Sequence, residues 1–283
     1  MGDRQAVRRK GGGGGGGDDR PRIWTGYGKL VKHFRELAGL TQSELADAVG
    51  YSCEQVASIE QGRRPAKAAF TNAAERVLNA GGALRALQED VDLARLPLFF
   101  QDFAAIEAEA VSFFWYGNHV IPGLLQTEAY ARALLQAHCP PFDDETIEQR
   151  VEARLQRQAM LTRRPTVELA FVIGEPVLRC PVGGYQVLKE QLLQVLRHAR
   201  LRNVAVQVMP TSQGAHAGLH GPMVLIETVD HQQVAYFESH GESMVISSPD
   251  KASAFALRYG KLRSQALNTE ESANLIERVA GEL

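Results

Sequence analysis

The stretch GLTQSELADAVGYSCEQVASIEQGRRP, residues 39–65, decides the fold of the N-terminal part of this chain. Thr41 with a glutamate three positions later, and Ser52 with a glutamine three positions later, form two capping boxes, each of which starts a short helix. Gly50 separates the two helices in the manner of a left-handed C-cap. Because apolar residues continue at helical spacing on both sides, the pattern predicts four short helices over residues 27–79.

The corner between the two capped helices is tight, and Ala46 keeps the contact between them small, so the helices can cross steeply. That is helix-turn-helix geometry. In such a unit the second helix lies in the major groove of DNA, with its N-terminal residues toward the base edges. A base-facing surface is therefore predicted on the second helix. Its residues are Cys53, Glu54, Gln55 and Ser58, with Gln61 as a further candidate.

The same residues resemble the Cro/repressor (XRE) family over residues 27–80, because its Thr-Gln, Leu-Ala, Gly, Ile and Glu-x-Gly positions fall in register without a gap. The resemblance implies an all-α, lambda-repressor-like domain of four or five helices. It also implies an internal ion pair between Arg35 and Glu60, and it places base-reading positions at Cys53, Glu54 and Ser58. The residues that we predict to contact DNA phosphates are Thr41, Gln42, Arg63, Arg64 and Lys67.

Three of these residues allow more than one interpretation. Gln55 either closes the capping box or touches a base. The Cys53 thiol lies at a helix N-terminus, where thiols are somewhat acidified; it is either a redox switch or, more simply, a small side chain tolerated in the groove. Glu54 lowers affinity near phosphates unless it accepts a hydrogen bond from a cytosine N4 amine, so we expect it to contribute specificity at a C·G pair.

Charge is distributed unevenly along the 283 residues. The formal net charge is -2, but residues 1–80 carry 13 Lys and Arg against 9 Asp and Glu, a balance of +4, and the remainder carries -6. Only the first part therefore suits a polyanion. The three cysteines lie far apart, which favours neither a disulfide framework nor a zinc ribbon. No run approaches the ~18 apolar residues of a membrane span, so we expect a cytoplasmic protein without membrane contact.

Composition and periodicity predict two folded domains and two segments without a core. Residues 1–22 contain RRKGGGGGGGDDR and are expected to form a disordered, basic, glycine-rich leader. Residues 23–80 form the predicted helix-turn-helix domain, and residues 81–95, which begin with a Gly-Gly pair, form a linker. Residues 96–283 combine helical stretches with short strand-like runs such as TVELAFVI and NVAVQVM, which predicts an α+β domain.

The predicted C-terminal domain resembles the domain that follows helix-turn-helix modules in the WhiJ-like group of actinobacterial regulators. The matching stretches span about residues 95–281 and include VIPGLLQTEAYARALL, RVEARLQRQAMLTRRP and GAHAGLHGPMVLIE. The resemblance implies an antitoxin-like transcriptional regulator that is encoded beside a small partner protein. The stretch SFFWYGN departs from the family pattern, which usually has a more polar Tyr-Glu pair there.

Candidate catalytic or metal-binding residues in this domain are His216 and His220, with Glu227, Glu238 and His240 downstream. Two histidines four positions apart would share one face of a helix, as zinc ligands do, but GAHAGLHGP is rich in glycine and predicts a loop. No HExxH, GxSxG, P-loop or GxGxxG motif stands in a fitting context. We therefore expect no enzyme activity, no metal and no cofactor, and a hairpin loop that rims a ligand or partner surface.

The helix DDETIEQRVEARLQRQAMLTRR carries Glu and Arg at mixed helical spacings, which is typical of a solvated face. The alternative is a dimer or partner helix with an apolar seam. The residues of that seam are Ile147, Val151, Leu155 and Ala159.

Taken together, these features predict a sequence-specific, DNA-binding transcriptional regulator. One N-terminal domain neutralises only ~4 phosphates, so a monomer binds modestly and with a steep salt dependence. A homodimer on a near-palindromic, double-stranded operator is the economical arrangement. Two hypotheses for the C-terminal domain remain open: it binds a small protein, or it binds a small molecule.

Overall fold

The computed structural model of the protein describes residues 21–95, 98–240 and 242–283. The leader predicted over residues 1–22 lies outside these residues, except for its last two positions. The chain divides into two compact units, which separate between Gln101 and Asp102. Within the described residues, no helix combines the length and the apolar character needed to cross a membrane.

In its described part, the N-terminal unit consists of six helices. They are α1 (Arg22–Leu37), α2 (Gln42–Val49), α3 (Cys53–Glu60), α4 (Ala68–Val77), α5 (Ala83–Ala86) and α6 (Gln88–Leu93). Both predicted capping boxes are confirmed: the side chain of Thr41 accepts the Glu44 N–H at the start of α2, and that of Ser52 accepts the Gln55 N–H at the start of α3. Gly50, at φ +75°, ends α2 in the left-handed conformation.

The segment that we expected to be a linker, residues 81–95, forms α5 and α6 instead. Leu84 and Val91 are both 0% exposed and belong to the core of the N-terminal unit. Trp24 ties α1 to this segment, since its indole Nε1 donates to the Val91 carbonyl oxygen at 3.0 Å. The Gly-Gly pair, with φ of +64° and +93°, makes a sharp corner inside the unit. The apolar side chains after that corner complete the core, and for this reason the segment is not a linker.

Helices α1 and α3 cross at backbone contact. A Cβ placed on Gly28 of α1 would lie 2.2 Å from the carbonyl oxygen of Ile59 in α3, so only glycine fits at this crossing. The orientation of α3, the predicted DNA-reading helix, is therefore set by a contact between two backbones.

The C-terminal unit contains a mixed sheet with helices on its faces. In the described chain its elements are α7 (Leu98–Ala108), β1 (Ala110–Gly117), α8 (Glu128–Gln136), α9 (Asp144–Gln156), β2 (Glu168–Gly174), α10 (Tyr185–His198), β3 (Val204–Met209), β4 (Met223–Thr228), β5 (Gln233–Ser239), β6 (Glu242–Ile246), α11 (Pro249–Gln265) and α12 (Thr269–Glu282). The strand order is β3-β2-β1-β4-β5-β6. The first three strands in this order run parallel, and the remaining pairs are antiparallel. The predicted class, all-α followed by α+β, is confirmed.

The register of the sheet determines which side chains share a face. Trp115 on β1 lies opposite Val224 on β4, and Val224 lies opposite Tyr236 on β5, so all three point to the same side. The next residue of β1, Phe114, points to the other side, where it stacks on Tyr259 of α11 with ring centroids 5.3 Å apart. One face of the sheet therefore packs against α11, and the other carries Trp115 and Tyr236.

The apolar seam considered for α9 lies inside the domain. Ile147 and Val151 are 5% and 2% exposed and form a cluster with Leu135 of α8, against which Leu155 also packs. Ala159 is exposed, but it lies past the end of α9 in a short 3₁₀ turn. Since the seam is already covered by α8, the hypothesis of a dimer or partner helix at these residues is not supported.

Candidate DNA-binding surface

The first turn of α3 presents three neighbouring side chains to solvent, those of Cys53, Glu54 and Gln55. The inner face of the helix is occupied by Val56 and Ile59, which are 0% and 4% exposed. Residues three or four positions apart share one face of a helix, so these two residues fix the rotation of α3 about its axis. The N-terminal end of α3 is thereby held with Cys53 and Glu54 on its accessible side.

Gln55 takes part in the capping box. Its side-chain Oε1 accepts the backbone N–H of Ser52 at 2.9 Å, and its own backbone N–H donates to Ser52 Oγ at 3.2 Å. The amide oxygen is therefore committed to the helix start. Only the Nε2 donors of this side chain suit a base acceptor while the cap is intact.

Ser58 differs from its predicted role. It is 7% exposed, and its backbone carbonyl accepts the N–H groups of Arg63 and Arg64 at 2.9 and 3.3 Å. The loop after α3 thus folds back onto this part of the helix, and Ser58 does not lie on the accessible surface with Cys53. Ala57, four positions after Cys53, is only partly buried and extends that surface instead. The helical spacing from Cys53 is the signal that identifies it.

A buried ion pair holds the reading helix against the rest of the unit. Arg35 of α1 and Glu60 of α3 are 8% and 6% exposed; Arg35 Nε donates to Glu60 Oε1 at 2.6 Å, and Nη2 donates to Oε2 at 3.0 Å. The hydrogen bond to Glu60 raises the pKa of the Arg35 guanidinium above its ordinary value. Arg35 Nη1 also donates to the Leu40 carbonyl at 2.8 Å. The pair therefore connects α1, α3 and the turn before α2.

Gln42 and Thr41, both predicted to contact phosphates, have partners within the protein. Gln42 Nε2 donates to Glu60 Oε2 at 2.7 Å, which joins α2 to the ion pair. The hydroxyl and the backbone N–H of Thr41 both donate to Glu44 Oε2, at 2.8 and 2.7 Å. The bond from the Thr41 backbone N–H is the main cause of a lowered Glu44 pKa. Both residues therefore brace the N-terminus of α2, and Gln42 remains partly exposed there.

The cations predicted to contact phosphates lie between α3 and α4. Arg63, Arg64 and Lys67 are exposed, and Lys67 occupies the position just before α4. The α3 N-terminus combines exposed polar side chains with an acidic residue, whereas the chain that follows α3 is basic. Base contacts specify a sequence and phosphate contacts position the protein, so a groove-reading helix needs polar side chains at its end and cations beside it.

The candidate catalytic residues of the C-terminal unit are not gathered into one site. His216 Nδ1 accepts the Gly218 N–H at 3.1 Å within its own loop. Glu227 pairs with His231 at 2.8 Å, while Glu238 accepts the hydroxyl of Tyr236 at 2.6 Å. In the described ranges no three His, Cys, Asp or Glu side chains are placed to hold a metal ion.

Comparison with protein-family models defines the class of this protein. Residues 27–88 match a model described as a helix-turn-helix domain, which agrees with α2 and α3 and makes the chain a DNA-binding regulator of the helix-turn-helix class. Residues 100–278, more than half of the chain, match the domain of unknown function DUF5753, and the chain belongs to that family. Comparisons with curated proteins and with solved structures gave no match.

Proposed function

We propose that this protein is a sequence-specific transcriptional regulator of the XRE type, in which the N-terminal end of α3 reads an operator in the major groove. The observation that carries the proposal is the exposed Cys53–Glu54 pair on a helix whose position is fixed by the Arg35–Glu60 ion pair and by the backbone contact at Gly28. Side chains on a rigid support read a base sequence better than side chains on a mobile loop, because their geometry is set before binding.

In this proposal Arg63, Arg64 and Lys67 contact phosphates, and they position α3 in the groove without adding sequence information. A few phosphate contacts from one domain give only modest affinity. The regulator therefore acts as a homodimer, with one α3 in each of two successive major grooves of a near-palindromic, double-stranded operator.

We further propose that the DUF5753 unit belongs to the WhiJ-like, antitoxin-like group and binds a small partner protein, so that occupancy of the operator follows the ratio of the two proteins. The likeness of VIPGLLQTEAYARALL and RVEARLQRQAMLTRRP to that group supports this assignment. The protein acts in the cytoplasm, and the proposal assigns it no chemical reaction. The second candidate, control by a small molecule, is favoured by Arg154 of α9, a partly buried arginine that pairs with an amide oxygen and with no carboxylate of the described residues.

Selection of DNA fragments by the pure full-length protein, at one stated salt concentration, tests the reading function. The expected result is one enriched motif with two related half-sites whose centres lie about 10 base pairs apart. Sedimentation of the complex should then give two chains for each operator. Recovery of unrelated fragments, or a complex of one chain with one operator, would overturn the dimeric reader.

Isolation of the protein from its native cells tests the partner. A stoichiometric small protein that co-purifies supports the antitoxin-like assignment. Recovery of the regulator alone, with operator affinity unchanged from that of the recombinant chain, argues against it.

A further inference from the structure

Helix α9 carries a partly buried arginine, Arg154, whose guanidinium has no carboxylate partner in the described part of the chain. Arg154 Nη1 donates to Gln126 Oε1 at 2.8 Å, and Gln126 is 2% exposed. Among the described residues, Gln126 is the only hydrogen-bond acceptor of the Arg154 side chain, and no carboxylate oxygen lies within 4.0 Å of it. A neutral amide oxygen accepts a hydrogen bond from one of the five N–H donors of a guanidinium, but it does not neutralise the positive charge.

The charged residues around Arg154 do not supply the missing carboxylate partner. Burial, together with the positive charges of Arg157 and Arg150 and against the negative charge of Glu238, lowers the pKa of Arg154 to about 10. Glu107, a buried acid, is already held by Arg157 through bonds of 2.9 and 2.5 Å. Arg157 therefore has a paired carboxylate, whereas Arg154 has none among the residues that the structure describes.

The cluster borders the face of the sheet that carries Trp115 and Tyr236. An added Cβ on Gly123, in the 3₁₀ turn Gly123–Leu125, would lie 3.8 Å from Arg157 Nη1 and 3.9 Å from the Trp115 ring. The Tyr236 hydroxyl donates to Glu238, and Glu238 is exposed. Two aromatic side chains, two guanidinium groups and an exposed carboxylate thus lie in one region of this face of the sheet.

We infer that Arg154 is the anchor of a binding site for a small ligand that carries a carboxylate or a phosphate group. The Nη1 atom holds Gln126, so the Nε and Nη2 edge of the guanidinium is the side that would face the ligand. That edge offers two parallel N–H donors, which match two oxygens of one carboxylate or phosphate group. Because Arg154 is only partly exposed, its free donors suit a ligand of few atoms. The inference goes beyond DNA reading and does not depend on it.

Titration calorimetry of the full chain with sodium phosphate and, separately, with sodium acetate tests the site. We expect saturable binding of at least one anion; binding of acetate alone identifies a carboxylate ligand, and binding of phosphate alone identifies a phosphate ligand. Substitution Arg154→Gln should weaken that binding at least about tenfold, since it removes two charge-assisted hydrogen bonds. Arg179→Gln is the matched control, because Arg179 is an exposed arginine paired with Glu282 at 2.7 Å, and it should leave the affinity unchanged.

Glu238→Gln is a second test of the same site, in which anion binding should become stronger. It can refute the inference even if Arg154→Gln fails to fold. Loss of the exposed negative charge should tighten anion binding by about threefold or more, because a like charge beside the site is removed. The inference is overturned if neither anion binds, if folded Arg154→Gln binds as the natural chain does, or if Glu238→Gln binds no tighter. Operator binding, measured separately, decides the DNA-reading proposal whatever these results are.

Discussion

Arg35 and Glu60 form a two-point ion pair that is buried in the N-terminal unit, and Gln42 donates a third hydrogen bond to the same carboxylate. Removal of one partner from a buried pair leaves an uncompensated charge and costs about 3–5 kcal/mol. We therefore expect Arg35→Met to lower the free energy of unfolding of this unit by about 3 kcal/mol. Denaturant unfolding measures this in a Trp115→Phe background, where Trp24 is the one remaining tryptophan.

The matched control for this prediction is Lys32→Met in the same helix. Lys32 contacts Glu36 at 3.8 Å, but both side chains are more than half exposed. An exposed pair of this kind contributes less than about 1 kcal/mol. Equal losses from the two substitutions would show that Arg35 stabilises the unit no more than a surface residue does.

Gly28 and Gly26 lie in the same helix and give opposite predictions. A methyl group on Gly28 would meet the Ile59 carbonyl at 2.2 Å, whereas one on Gly26 would have no neighbour within 4 Å. We expect Gly28→Ala to destabilise the unit by about 1–3 kcal/mol through forced separation of α1 and α3. Gly26→Ala should stabilise it by roughly 0.5–1 kcal/mol, because alanine is the better helix former. Thermal unfolding of the two variants is compared with that of the natural chain. A shift of the same sign in both variants would contradict this account.

Glu54→Ala separates specificity from affinity. If Glu54 accepts a hydrogen bond from cytosine N4, its removal should reduce discrimination at one C·G pair in each half-site by about 1–3 kcal/mol. Affinity for unrelated DNA should rise, because an acidic side chain near phosphates is lost. Competition binding with operators substituted at single positions measures both effects. A variant that binds every sequence more tightly, with its preferences unchanged, would refute the assignment.

Arg63→Gln and Arg64→Gln should each act on all DNA sequences alike. A lost phosphate contact lowers the slope of log affinity against log salt concentration by ~1 for each chain in the complex. Binding at four or more salt concentrations gives the slope. Arg197→Gln, which removes an exposed cation of the C-terminal unit, should leave the slope as it is. A change of base preference without a change of slope would show that these arginines contact bases and not phosphates.

Asp143 caps the N-terminus of α9, and the stability that this cap contributes depends on pH. Its carboxylate accepts the backbone N–H of Thr146 at 2.7 Å and the Thr146 hydroxyl at 3.0 Å, and the backbone bond is the main cause of its lowered pKa. A group whose pKa is depressed by folding stabilises the folded state above its unfolded pKa and loses that effect as pH falls through the folded value. Asp143→Ala should therefore cost ~1 kcal/mol near neutral pH, and the difference from the natural chain should shrink below about pH 4. A difference that stays constant down to pH 2 would contradict this account.

Local sequence signals predicted α2 and α3 of the N-terminal unit well, because these helices begin and end at residues whose caps involve only nearby positions in the chain. The Thr41 and Ser52 capping boxes and the Gly50 corner need only a few adjacent residues, and all three are present. The burial of Ser58 depends on the return of the loop after α3, and it could not be obtained from the spacing of residues along one helix.

The linker prediction failed for a related reason. A Gly-Gly pair indicates a break in a helix, but not whether the following helix packs against the same core. The burial of Leu84 and Val91 is a tertiary property. The sequence also did not predict the environment of Arg154, since mixed charges on α9 are typical of a solvated face. The bond from Arg154 to the buried Gln126 depends on how the segment that contains Gln126 packs.

The central position of β1 in the sheet affects the order in which the two units can fold during synthesis. Ala110 of β1 pairs with Thr228 of β4, so this strand obtains its second neighbour only after most of the C-terminal unit has been synthesised. In the part of the chain that the structure describes, the buried core of the N-terminal unit is formed by residues between Trp24 and Val91, and Ile23 and Ala94 pack against it. Distant strand pairings close slowly, and domains fold in the order of their synthesis. We expect each new chain to pass through an interval in which its reader is folded on the ribosome while the unit proposed to control that reader is still unfinished.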